Sequence, residues 1–161
     1  ITPIGPKARN LNKKFEFNYG EFNQLTYWMN RQIIDDYPIE LVSPVDWTDE
    51  SQNINDRVRS YLDVNCGHCH SPTGNANSTG LYLHLDETRN IHLGLYKKPV
   101  ATGRGSGGLK YSIVPGKPDE SILLHRMISL DPGVMMPESG RALSHTEAVD
   151  MVREWILVME D

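Results

Sequence analysis

The chain has 161 residues, a formal net charge of -5 and 39% apolar residues, a size for one domain or for one domain plus an extension. Its acidic balance excludes a non-specific nucleic-acid binder and favours partners with basic patches. No apolar run reaches the ~20 residues that span a bilayer, and two cysteines do not make a disulfide scaffold.

In chain order, ITPIGPKARN at the start lacks the apolar core of a signal peptide, so the chain reads as a mature protein or an excised module. Phe22, Leu25, Trp28, Met29 and Ile33 lie near helical spacing and predict a helix over about 21–35. The prolines of DDYPIELVSPVDW end it and predict an extended linker. Residues 1–50 are expected as an extension packing on a domain formed by 51–161.

Ile54, Val58, Tyr61 and Leu62 form one apolar stripe and predict a second helix, capped by Asp49 or Ser51 and running into NCGHCHSP. Beyond the motif, SPTGNANSTG is loop, LYLHLDE a short strand and ATGRGSGGLK a Gly-rich loop. PGKPDESILLHRMISL reads as a turn and a helix, with Pro118 in the first turn and Asp119 and Glu120 suiting the positive helix end. DPGVMMPESG is loop. The last helix opens on a capping box, Ser144 to Glu147, and carries the stripe Ala148, Met151, Val152, Trp155, Ile156 and Met159. The fold class is therefore mainly α, with no internal repeat.

Chemistry concentrates in Asn65-Cys66-Gly67-His68-Cys69-His70, which holds both cysteines. A thioredoxin-type pair needs a βαβ context that this pattern lacks. A structural zinc site needs two histidines to complete it. Covalent haem attachment explains the fifth residue: Cys66 and Cys69 bond the two vinyl groups, and the adjacent His70 becomes the proximal iron ligand. One haem c per chain is the expected cofactor. Met135 and Met136 lie in a loop between Pro132 and Pro137, where no regular element runs easily. A thioether held there suits the sixth iron position, and such ligation raises the haem potential and closes the iron to small ligands.

With these motifs, YLDVNCGHCH followed by MMP and a closing amphipathic helix, residues 51–161 resemble a mono-haem c-type cytochrome of the small helical class. The resemblance implies a cytochrome c-like fold in which the helix entering the motif crosses the C-terminal helix. It assigns the thioether links to Cys66 and Cys69, the proximal ligand to His70 and the distal ligand to Met136, the residue before the proline, with Met135 as the alternative. It also implies a backbone acceptor for the imidazole N–H around Pro72 or Ser78 to Gly80. The longer string RVRSYLDVNCGHCH, VPGKPDESILLHRM and MMPESG is similar to cytochrome modules of large secreted bacterial proteins, some joined to carbohydrate-binding modules. That likeness implies a periplasmic, secreted or cell-surface location within a larger polypeptide. It also implies reductant and acceptor protein partners, among them a secreted copper oxidative enzyme acting on polysaccharide. Residues 1–50 and the segment from Leu81 to Lys110 depart from a minimal small cytochrome.

Propionate carboxylates need positive or hydrogen-bonding neighbours when buried. Arg104, Tyr111, Arg126 and Arg141 are candidates, beside Lys110 and the indoles of Trp28 and Trp47. His68 is turned from the iron by its place inside the motif, and His84, His92, His125 and His145 read as surface or hydrogen-bonded polar residues. GRGSGG matches G-x-G-x-x-G but precedes the strand-like LKYSIV rather than a helix, which argues against nucleotide binding. The chain is therefore expected to be an electron-transfer module, not an enzyme. The alternative is a haem enzyme or ligand sensor, peroxidase-like, with a displaceable Met136; no distal acid and base pair is apparent for it.

Overall fold

The computed structural model describes residues 7–38, 40–138 and 140–160. The chain divides into two compact units, Ile1–Val45 and Asp46–Asp161. Among the described residues it is mostly helical, with six helices and a two-stranded hairpin. No described helix is long and apolar enough to cross a membrane.

The first unit holds α1 (Ala8–Leu11), β1 (Lys14–Phe17), β2 (Gly20–Asn23) and α2 (Gln24–Asn30). The strands pair antiparallel, with Phe15 opposite Phe22 and Phe17 opposite Gly20. Gly20 takes φ 132°, which only glycine adopts freely. The helix expected over 21–35 is thus shorter. Glu21 and Phe22 belong to β2, because cross-strand aromatic pairing claims them. Asn23 then starts α2 by accepting a 3.1 Å hydrogen bond from Thr26 N. The helix ends by Arg31, and Gln32 follows in the left-handed region at φ 56°. Of the expected stripe only Leu25 is buried; Met29 and Ile33 are exposed.

The second unit contains α3 (Ile54–Asn65), α4 (Asn90–Leu93), α5 (Ile122–Ile128) and α6 (Thr146–Leu157). The two strongest periodic segments become α3 and α6, which pack on each other. Val58, Leu62, Ala148, Val152 and Ile156 have no exposed surface, and Trp155 retains 4%. Leu83, Ile113, Leu124 and Met127 complete this core. The Trp155 indole donates to Asn55 Oδ1 at 3.1 Å, tying α6 to the first turn of α3.

Local details differ from the sequence reading. Asn53, not Asp49 or Ser51, caps α3, accepting from Asn55 N at 2.8 Å. Asp49 instead closes the preceding turn on Ser51 and Gln52. The capping box of α6 does not form. His145 is the cap residue and makes no capping bond; the Ser144 hydroxyl goes to the Met127 carbonyl, and Glu147 accepts from Thr146 Oγ1. LYLHLDE is no strand. Its amides are taken elsewhere, Tyr82 N by His92 O, Leu83 N by His70 O and Leu85 N by Asp63 Oδ1. The segment before Pro115 makes only single bridges, Leu95 with Ile113 and Tyr111 with Ser121. Pro118 opens a one-turn 3-10 segment, and α5 begins after Ser121.

Candidate functional site

The attachment motif is the C-terminal end of α3. The amides of Cys66 and Gly67 both donate to the Leu62 carbonyl, at 2.8 and 2.9 Å. Those of Cys69 and His70 both donate to the Cys66 carbonyl, at 3.1 and 2.9 Å. The chain therefore keeps winding after the helix ends, which sets the two thiols about one turn apart and His70 directly after them. Gly67 is a close approach: a Cβ there would lie 2.8 Å from the Asp63 carbonyl and 3.2 Å from His84 Cα. Gly74 is closer still, with the Cys69 carbonyl occupying the space a Cβ would need. That packing follows from the loop turning back, where Ala76 N donates to Cys69 O at 3.0 Å.

A polar framework behind α3 holds the segment over 83–87 against the motif. Asp63 is fully buried and accepts from Leu85 N at 3.0 Å. Arg59 donates to the carbonyls of His84, Leu85 and Glu87. Glu87, also buried, binds Arg89 through both oxygens and meets His92 Nδ1 at 3.0 Å. The Arg89 guanidinium holds its carboxyl far below the usual carboxylate range. The sequence reading missed Arg59, Asp63 and Glu87, whose partners lie more than twenty residues away or in an irregular segment.

Cys66 and Cys69 are unbonded thiols. Burial, and then its neighbour Cys69, pushes the Cys66 thiol up to about 12. Burial also lowers the His70 imidazole below its ordinary value; the Leu81 backbone opposes this, Arg126 and His68 add to it, and Glu138 opposes it. His70 is thus kept neutral, the form that binds metals. Its Nδ1 is buried with no hydrogen-bond partner of normal geometry.

The methionine loop is tied to the end of α5. Met136 N donates to the Arg126 carbonyl at 3.0 Å, and Arg126 Nε donates to Val134 O at 2.8 Å. Val134 N and Met135 N close a turn on Asp131 O, both at 2.8 Å. Both methionines are half-buried. The charges of Arg126 and Glu138 act on the His70 imidazole, so the end of α5, to which the loop is bonded, lies within electrostatic reach of it.

The other candidates have other work. Arg104 is exposed and paired with Asp131 at 3.0 and 3.1 Å. Arg141 donates to the carbonyls of Arg126, Met127 and Ser129, pinning the end of α5. Tyr111 is half-buried, edge-on to Tyr96 at 5.8 Å. Lys110 is exposed, and Trp28 belongs to the first unit. Gly103–Ser106 forms a one-turn 3-10 segment with no helix following. His68 Nδ1 and His84 Nδ1 are buried without partners, while His145 shares a hydrogen bond with the Tyr61 hydroxyl.

The donor set is two unbonded thiols with an imidazole directly after them, the residues that covalent haem attachment uses. Among the described residues no group of three or more His, Cys, Asp or Glu stands ready to hold a metal ion. Thioether formation needs only two thiols at this spacing, and a neutral imidazole beside them needs one further soft ligand. No family model, curated protein or solved structure matches the chain.

Proposed function

We propose that the second unit is a single-electron carrier with one haem c, joined through Cys66 and Cys69 and ligated by His70 and Met136. The observation that carries this reading is the end of α3: two unbonded thiols followed by a half-buried imidazole with a lowered pKa, on which the charge of Arg126, the residue that anchors the methionine loop, acts. Bound there, haem supplies a one-electron iron couple whose potential a methionine ligand raises.

The chain's own residues do the rest. The Leu62 and Cys66 carbonyls fix the thiol spacing by holding the four motif amides. Desolvation keeps His70 unprotonated and available. Arg126 holds the loop through its carbonyl and its Nε, which limits how far Met136 can swing. Its half-buried guanidinium also leaves positive charge beside the site, suited to a propionate. The likeness to secreted modules supports work outside the cytoplasm, with a reductant and an acceptor protein as partners, the acceptor being a secreted copper oxidative enzyme.

The test is the chain matured with haem-attachment machinery. Denaturing mass spectrometry should show one haem added, and the reduced protein should show sharp low-spin α and β bands. A high-spin spectrum would turn the reading toward an open-iron enzyme or sensor. A bare polypeptide mass would refute covalent attachment.

A further inference from the structure

Tyr61, Trp47 and His145 form an aromatic group that the attachment site does not use. Trp47 meets the Tyr61 ring edge-on, 5.5 Å between centroids and 70° between planes. His145 lies 5.2 Å from Trp47 in the same manner, and its Nδ1 shares a 3.1 Å hydrogen bond with the Tyr61 hydroxyl. Tyr61 belongs to the buried cluster against which Cys66 packs. The ring contacts thus lead from the core cluster beside Cys66 outward through Tyr61 to Trp47.

Trp47 in turn lines an open hollow of about 610 Å³ with Glu50, Arg57, Glu147, Asp150 and Glu154. Glu147, Asp150 and Glu154 lie on one face of α6, at helical spacing. The carboxylates outnumber the single guanidinium, and Arg57 is already tied by Nε to the Trp47 carbonyl at 2.8 Å. Glu147 is held below the usual carboxylate range by its own backbone N–H and by Thr146, so it is charged at neutral pH.

We propose that this hollow is where the electron leaves the protein, and that its partner presents lysine and arginine side chains around a one-electron acceptor. The inference rests on the haem reading above. The transfer is balanced simply: the protein's iron goes from ferrous to ferric, the acceptor centre gains that electron, and no bond or proton changes place. Electron tunnelling weakens steeply across gaps between unbonded atoms, so ring-to-ring contact from the Cys66 side to the surface shortens the empty distance. A negative hollow at the outer end attracts and orients a basic partner.

The probes are a tripositive cobalt phenanthroline complex, ferricyanide as its anionic counterpart, and tetralysine. Stopped-flow oxidation of the reduced, haem-loaded protein is followed at the Soret band. The triple variant Glu147→Gln, Asp150→Asn, Glu154→Gln should slow the cationic oxidant about tenfold at low salt and leave ferricyanide no slower. Trp47→Ala should slow the cationic oxidant without changing its salt dependence, while Trp47→Phe keeps most of the rate. Tetralysine should shift the Trp47 indole N–H and the α6 amides in an NMR titration. Unchanged cation rates in both the charge variant and Trp47→Ala, or tetralysine shifts confined to another face, overturn the proposal. The charge changes are on the surface, so they test it even if Trp47→Ala fails to fold. A protein without a Soret band refutes the haem reading itself; a normal cytochrome spectrum with unchanged rates refutes the exit site alone.

Discussion

Replacing Trp155 by alanine removes the largest side chain from the contact between α3 and α6. The indole is 4% exposed, so nearly all of its apolar surface is lost from the core, and such truncations cost about 3–5 kcal/mol. Two features place this one near the lower end. An open groove of about 280 Å³ runs beside the ring, lined by Ile54, Leu93, Leu95, Val158 and Met159 among others, so water can enter the vacated space. The hydrogen-bond partner, Asn55, is exposed and can turn its Oδ1 to solvent. A loss of about 3 kcal/mol corresponds to a fall in Tm of roughly 10–15 °C for a unit of this size. Urea or thermal unfolding followed by far-ultraviolet circular dichroism measures it, with Trp155→Phe as the control that keeps most of the packing. In the haem-loaded protein Trp155 should also be dark when folded and bright when unfolded. An unchanged Tm in Trp155→Ala would show that α6 does not bury this face, and the cytochrome-like reading of α3 against α6 would fall with it.

Met136→Ala should abolish the near-infrared charge-transfer band of sulfur-ligated ferric haem and open the iron to cyanide, whereas Met135→Ala should leave both unchanged; the opposite pattern exchanges the two roles. Gly74→Ala drives a methyl group into the Cys69 carbonyl, so its yield of haem-loaded protein should fall well below that of the parent chain, as read by Soret absorbance per milligram. Burial raises the Tyr61 hydroxyl from 10.0 to about 12. Below pH 10 both folded and unfolded chains keep its proton; between 10 and 12 the unfolded chain releases it first, so stability falls across that window. Tyr61→Phe should therefore lose less stability than the parent between pH 10 and 12 in urea titrations, and parallel curves would contradict the burial argument.

What the sequence discloses follows from how local the cause is. The stripes of α3 and α6 are legible because each repeats over a long helix and is buried along its length. The hairpin is not, since Phe15, Phe17 and Phe22 can be read as helical or alternating until their pairing is known. Asp49, Ser51 and Asn53 are all chemically able to cap α3, and only the turn closed by Asp49 leaves Asn53 in place. The box at Ser144 fails because a carbonyl seventeen residues earlier captures its hydroxyl. At the site, Cys66, Cys69 and His70 are contiguous and readable at once. The arginines are not: Arg104 and Arg141 carry the same charge as Arg126, and only their distant partners separate a loop clamp from a group beside His70.

The placing of Cys66 has a consequence in time. Cys66 closes the helix whose Val58 and Leu62 are sealed into the core, and partial burial raises its thiol to about 12 in the folded chain. Thiols react as thiolates and need access. Under the haem reading, the Cys66 thiol reacts more readily while the chain is still open than after α3 has closed on α6. Folding and maturation then compete for the same segment. Slowing the folding of the haem-free chain should raise the fraction that acquires the cofactor.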